Sequence, residues 1–146
     1  MKLKVMKTDQ RAKLPAKATI GSAGHDLYAL LTEPVNILPH RTVKIRTGIA
    51  IEIENRNLGG FIFARSGLAT KHGVAPANCV GVIDSDYRGE IFVPLHNHTD
   101  EAYTIEPFER IAQLVIMPVE DCEILEVESL SESSRGEDGF GSSGRK

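Results

Sequence analysis

From Val43 to Ile53 the chain reads "VKIRTGIAIEI", with Val43, Ile45, Ile49, Ile51 and Ile53 on odd positions and Lys44, Arg46 and Glu52 on even ones. Successive side chains of an extended strand point to opposite faces, so a period of two over this length predicts a half-buried strand or a hairpin, not a helix. Shorter runs of the same kind recur at "KLKVM", "FIFA", "EIFVPLHN", "RIAQLVIMPV" and "CEILEVE". Gly, Pro and Asn punctuation such as "EPVNILPH" and "NRNLGG" separates them. Many short strands broken at such intervals predict an all-β sandwich, jelly roll or barrel. No tandem repeat and no heptad pattern competes with that reading. One stretch, "RSGLATKHG", predicts a helix, with Ser66 as N-cap, a turn or two over Leu68 to Lys71 and Gly73 as a left-handed stop.

The length of 146 residues fits one domain with a real core, and no linker precedes Ser129. Beyond it, "SESSRGEDGFGSSGRK" from Ser131 to Lys146 draws nine of its residues from Ser and Gly. Such a segment cannot bury enough apolar surface to offset the entropy of ordering it. The expectation is a domain over residues 1–130 and a flexible C-terminal arm over 131–146. A net charge of −3 gives no electrostatic footprint for duplex nucleic acid, and no nucleic-acid partner is expected. Cys79 and Cys122 lie far apart, without C-x-x-C and without paired histidines at ligand spacing. That argues against a disulfide framework or a zinc site and for two buried thiols in a reducing compartment. The basic start, "MKLKVMKTDQRAKLPAKA", has no apolar core region and is not a signal peptide, and no run approaches a membrane span. The expectation is a soluble protein of the cytosol or nucleus, with no targeting segment and no membrane partner.

Several stretches can carry chemistry. "GSAGHDLYAL" reads locally as a turn, with Gly24 at positive φ and Asp26 bonding its own backbone. "ARSGLA" is either a surface arginine beside an ordinary N-cap or an anion site, where free N–H groups and the positive end of the helix dipole meet Arg65 and Ser66. In "NCVGVIDSDYRGE", Asp84 follows the apolar Val80 to Ile83 and is expected at a strand edge, partly desolvated, with an arginine in reach to keep it ionised. A carboxylate so placed can act as general base for a water molecule; the alternative is a hairpin that Asp-Ser-Asp merely caps. The Asn78 amide and exposed strand backbone near Gly81 can together read the edge of a nucleobase. Gln113 interrupts an apolar run and must be satisfied, as a structural bridge or as a ligand contact. The five histidines are scattered and read as solvated surface groups. "GFGSSGRK" has the glycine spacing of a phosphate loop but puts Arg145 in place of its lysine, with no strand before it and no helix after.

Taken in order along one short β-rich chain, "AGHDLYA", "ARSGLA", "GVIDSDYRGE", "RIAQLV" and "RGEDGFGSSG" resemble the five motifs of the trimeric deoxyuridine triphosphatases, from about Leu14 to Arg145. The resemblance implies a distorted jelly-roll β-barrel with one short helix, and a homotrimer with sites shared between subunits. It also implies Mg2+-dependent hydrolysis of dUTP to dUMP and pyrophosphate, which keeps uracil out of DNA and supplies dUMP for thymidylate synthesis. Carried onto this chain, Asp84 orients and deprotonates the attacking water. Tyr87 packs on the deoxyribose and leaves no room for a 2′-hydroxyl. Asn78, with the backbone of Gly81, Val82 and Ile83, matches the uracil-reading hairpin, bordered by Phe92. Arg65, Ser66, Gly67 and Gln113 match phosphate contacts, and Asp26 matches the acid that supports the metal through water. In the arm, Arg135 reaches phosphate and Phe140, beside Gly141, stacks on uracil. The terminal motif usually reads Arg-Gly-x-Gly-Gly-Phe-Gly, so Asp138 departs from it by replacing a glycine. Two other functions fit the same barrel: a dCTP deaminase or bifunctional deaminase, which needs an acid/base at the ring amino group where Glu90 is expected to face elsewhere, and a regulatory, non-enzymatic paralogue.

Overall fold

A computed structural model describes residues 2–134 and Gly136. Arg135, Asp138, Phe140 and Gly141, and the expectations placed on them, lie outside the described residues. In chain order the elements are β1 (Lys4–Lys7), β2 (His25–Tyr28), β3 (Val35–Ile37), β4 (Thr42–Arg46), β5 (Ile49–Glu52) and β6 (Leu58–Ala64). The helix α1 (Ser66–His72) follows, then β7 (Val74–Pro76), β8 (Gly81–Ile83), β9 (Phe92–Asn97), β10 (Tyr103–Ile105) and β11 (Arg110–Pro118).

All named ladders are antiparallel. One sheet runs in the order β2-β11-β6-β8 and a second in the order β4-β9-β7, while β1-β5 and β3-β10 form two-stranded pairs. The all-β, one-helix expectation holds. Among the described residues, however, the hydrogen-bonded ladders remain four sheets and do not close into one continuous barrel.

The period-two run from Val43 is neither one strand nor a hairpin. β4 pairs with β9 and β5 pairs with β1, so the chain changes sheets between Arg46 and Ile49. The corner is Gly48 at φ +68, where an added Cβ would stand 2.5 Å from Leu30 and 2.8 Å from Ala12. Only glycine takes that conformation and that approach without strain. "EPVNILPH", read as punctuation, contains β3. "CEILEVE", read as a strand, forms no element, and its Ile124 and Leu125 stand 90% and 77% exposed. The apolar pattern there has no surface within the described chain to face.

The core is the set of inward residues from these sheets: Ile45, Ile49, Ile51 and Ile53 from the alternating run, with Leu27, Ile37, Val93, Leu95, Ile111 and Leu114 from strands across from it. Each such side chain contributes about 1.5–3 kcal/mol on burial. Among the described residues, Asp26, Thr47 and Asn97 are the buried polar side chains. Asn97 is fully buried, donates to the carbonyls of Ile37 (3.0 Å) and Glu101 (2.7 Å), and accepts from the N–H and hydroxyl of Thr99 (3.0 and 2.8 Å). Every hydrogen-bonding group of its amide is engaged, as burial demands.

In α1 the expected stop is present, with Gly73 at φ 61. The expected N-cap is displaced by one residue: Arg65, extended, holds that position, and no side chain caps the helix. Both cysteines are exposed rather than buried, Cys79 on the loop before β8 at φ 60 and Cys122 beyond β11. No helix among the described residues is long and apolar enough to cross a membrane.

Candidate functional site

β2 carries Asp26 inward until only 3% of it is exposed. Its Oδ1 accepts from Arg65 Nε at 3.0 Å and from Gln113 Nε2 at 3.4 Å, and its Oδ2 accepts from Arg110 Nη1 at 3.2 Å. This corrects the turn reading. Asp26 is bonded to distant side chains, and Gly24 is absent from the positive-φ residues. Gly24 serves for space, since a Cβ there would lie 3.1 Å from that of Gln113.

Arg110 carries no signal in the sequence that places it here. Three positions from Gln113 on an ideal strand, it would face the opposite side of the sheet. The ladder with β2 shifts register between Arg110 and Ala112, and that irregularity turns both side chains to the same acid. Gln113 faces Asp26 directly in register.

Arg65 also fixes the start of α1, donating from Nη1 to the carbonyl of Arg110 at 3.2 Å. The first intrahelical bond runs from Ala69 N–H to Arg65 O, so the N–H groups of Ser66, Gly67 and Leu68 precede it and have no helical partner. Ser66 and Gly67 are exposed at this end, beside a guanidinium. Uncapped donors with a cation alongside suit a phosphate oxygen.

A second constellation surrounds a cavity of about 290 Å³ on the β8 side. Asn78, Gly81, Val82, Ile83, Asp84, Tyr87 and Phe92 line it, all of them sequence-predicted, together with Lys44, Ile62, Glu90 and Ile91, which were not. Among the described residues β8 is an edge strand, paired on one side with β6, and so turns a row of N–H and C=O groups outward. A Cβ at Gly81 would approach Ile62 Cβ to 3.2 Å and the Asn78 amide nitrogen to 3.4 Å, so the missing side chain opens the floor. On one wall Lys44 holds its ammonium 4.0 Å above the Phe92 ring. The arrangement is a flat slot with backbone donors and acceptors along one edge and a carboxamide at its end.

Asp84 stands at the rim and is exposed in the single chain, not desolvated. It opens a tight turn closed by Tyr87 N–H to Asp84 O at 3.1 Å. Arg88 does not reach it; that guanidinium donates to the carbonyls of Ser85 (2.7 Å) and Tyr87 (3.0 Å). Glu90 turns its carboxylate away, toward Arg46, whose guanidinium together with the Gly48 N–H and the Thr8 hydroxyl holds it below the usual carboxylate range against the effect of burial.

The predicted residues thus fall into two groups. β2 and β8 are opposite edges of one four-stranded sheet, three inter-strand steps apart, or about 14 Å at the usual spacing. Asp26 lies on β2, Gln113 on β11 and Arg65 just past the end of β6, whereas the slot with Asp84 and Tyr87 lies on and after β8, and none of the first three lines it. A family described as dUTPase matches residues 10–144 of the sequence. The chain belongs to the dUTPase family. It is 46% identical over 145 residues, 99% of this chain and 97% of the relative, to the deoxyuridine 5'-triphosphate nucleotidohydrolase of Polynucleobacter asymbioticus. To the protein of the same name from Aeromonas salmonicida it is 50% identical over 133 residues, 91% and 88% of the two chains. Among solved structures, the dUTPase of Staphylococcus bacteriophage 80alpha with dUpNHpp matches with a TM-score of 0.88 at 30% identity over 98% of each chain. A dUTPase of phage phi11 of S. aureus, in which a structural Mg(II) ion is coordinated, shares the fold at 23% identity, with a TM-score of 0.80 over 90% of this chain and all of that one. The slot therefore sits on a dUTPase fold from end to end of the described chain.

Proposed function

We propose that this chain is a dUTP diphosphatase that hydrolyses dUTP to dUMP and pyrophosphate in a site built from two or more copies of itself. One observation carries the reading: a slot of nucleobase size edged by the free backbone of β8 and the Asn78 amide, with Tyr87 on its wall and a lone carboxylate, Asp84, at its rim. Membership of the dUTPase family supports the same substrate.

Uracil lies against Gly81, Val82 and Ile83, whose backbone reads its edge beside the Asn78 amide, with Phe92 bordering the slot. On this reading the slot excludes the methyl group of thymine. Tyr87 packs on the deoxyribose where a 2′-hydroxyl would stand. Asp84 accepts a proton from water as the water oxygen forms a bond to the α-phosphorus; the bond from that phosphorus to the bridging oxygen breaks, and pyrophosphate leaves with the electron pair. Work of this kind is positioning and charge neutralisation more than covalent catalysis.

The phosphates require Arg65, Ser66, Gly67 and Gln113, which stand at the start of α1 and on β11 and line no part of the slot. A neighbouring copy supplies them, in a homotrimer. The exposed apolar run Ile124, Leu125, Val127 and Leu130 supports self-association, because such a run is expected to be covered. To the segment 131–146 we assign the remaining roles: uracil contact to Phe140 and Gly141, and phosphate contact to Arg135.

Both Asp26 oxygens already accept from Arg65, Arg110 and Gln113, and among the described residues no three His, Cys, Asp or Glu side chains group to hold a metal. These residues fit a Mg2+ ion carried by the triphosphate itself, with Asp26 supporting its water shell. Such an ion, when bound, neutralises phosphate charge.

Pyrophosphate release from dUTP, dTTP, UTP and dCTP tests the assignment, with the intact chain and with Asp84→Asn. Turnover of dUTP alone is expected, dependent on Mg2+ and reduced at least about 100-fold in the variant. Equal hydrolysis of dTTP or UTP overturns the slot, and ammonia from dCTP overturns the reaction.

A further inference from the structure

Tyr87 is the wall of the slot, yet packing does not hold it. It is 42% exposed. The restraint is at its tip, where the hydroxyl donates to the backbone carbonyl of Glu90 at 3.0 Å. The ring folds back over its own loop to make this bond. Gly89 allows it, for a Cβ there would lie 2.4 Å from the Tyr87 hydroxyl and 2.6 Å from Cζ. The position of the ring is therefore set by the position of one carbonyl.

That carbonyl belongs to a residue held with unusual firmness for a loop. The Glu90 carboxylate accepts from Arg46 Nε at 3.0 Å and Nη2 at 2.9 Å, from the Gly48 N–H at 2.9 Å and from the Thr8 hydroxyl at 3.1 Å. Its side chain is only 13% exposed. The two-pronged arginine contact fixes direction as well as distance. Arg46 lies at the end of β4 and Gly48 at the corner that follows, so Glu90 is tied to the frame of the second sheet and not to its own flexible turn.

We propose that the Arg46–Glu90 pair is a positioning device for sugar selection: by fixing Glu90 it fixes the carbonyl that holds the Tyr87 hydroxyl, and so sets how closely the ring approaches C2′ of the bound nucleotide. The inference rests on the reading of Tyr87 as the sugar wall. It assigns to Arg46 and to the Glu90 carboxylate, which are bonded to each other, a part in choosing deoxyribose over ribose. A merely structural ion pair across the same two strands lowers stability when broken and affects both sugars alike. A positioning pair changes their ratio.

The test is kcat and KM for dUTP and for UTP, with melting temperatures, in Glu90→Gln, Arg46→Met, Tyr87→Phe, Tyr87→Ala and the Glu90→Gln/Tyr87→Phe double variant. Preference for dUTP over UTP is expected to fall about tenfold in Glu90→Gln and in Arg46→Met, the scale of one hydrogen bond, while kcat for dUTP in Arg46→Met stays within about threefold. Tyr87→Phe should fall by a similar factor, and the double variant no further, because Tyr87→Phe already lacks the bond through which the pair acts. Arg46→Met leaves Glu90 on Gly48 and Thr8, so it reports even if Glu90→Gln fails to fold. The inference is overturned by an unchanged preference in Glu90→Gln and Arg46→Met when Tyr87→Ala shifts it, or by additive losses in the double variant. An unchanged preference in Tyr87→Ala instead overturns the sugar-wall reading beneath it.

Discussion

Asp26 shows how much the worth of a single residue depends on what surrounds it. With its side chain 4% exposed, it is an anion that must be compensated where it stands, and two guanidinium groups share the task. Removing one partner of a buried pair leaves a charge without compensation, at a cost of several kcal/mol. Arg65→Met should therefore lower the unfolding free energy by about 3 kcal/mol, measured by urea denaturation. Arg110, its side chain 48% exposed against 25% for Arg65, should cost clearly less in the same experiment. The sequence names Asp26, Arg65 and Gln113 because their residue types stand out in apolar or glycine-rich surroundings. It does not name Arg110, because a register shift leaves no mark in composition or period. It also pairs Arg88 with Asp84 by proximity in the chain, whereas the turn from Asp84 to Tyr87 turns that guanidinium onto backbone carbonyls.

The element that most rewards attention is the corner between β4 and β5. Alternation predicts which side chains face inward and does so correctly for Ile45, Ile49, Ile51 and Ile53. It is silent on partners, since a strand that leaves one sheet for another keeps the same period. The corner itself is legible only as a glycine. Gly48→Ala should cost about 3 kcal/mol, from the left-handed backbone and from overpacking against Leu30 and Ala12, seen as a lower urea midpoint at unchanged slope. Residues 122–128 fail as a predicted strand for a related reason. They mix apolar and acidic residues as an exposed strand does, but a strand also needs a neighbour, and the described chain offers none.

At the scale of the molecule two properties follow. The Tyr103 phenol, on β10, is pushed up to about 12 by burial and by its hydrogen bond to Glu109, against 10.0 for the free group. The folded chain holds that proton more tightly than the unfolded one, so the stabilisation is complete below pH 10 and fades between 10 and 12. Tyr103→Phe should flatten this alkaline decline in a series of denaturation curves. For Glu90 the sign is opposite: its contribution is present above its ordinary value of 4.5 and is lost as acid protonates it. The second property is the proposed division of the site between the slot at β8 and the residues of β11 and the start of α1. Co-refolding Asp84→Asn chains with Gln113→Ala chains should restore about a quarter of the intact turnover, the share of random neighbour pairs that join two sound halves. Activity no greater than that of the two variants alone would place the whole site in one chain.

The pairing of β2 with β11 has a further meaning for how the protein comes into being. Asp26 and Gln113 are 87 residues apart, so on the ribosome the acid is made on the order of ten seconds before the strand that will hold it. Until β11 is made, β2 and, once it is made, β6 lack their shared neighbour, with apolar faces and edges unpaired. Closure over such a distance is slow for a small domain and makes the emerging polypeptide a client for chaperones. The late strand brings Ile111, Leu114, Arg110 and Gln113 together in one stroke. Completion of the cluster around Asp26 and completion of the core are thus a single event, and a chain stalled before β11 can have neither.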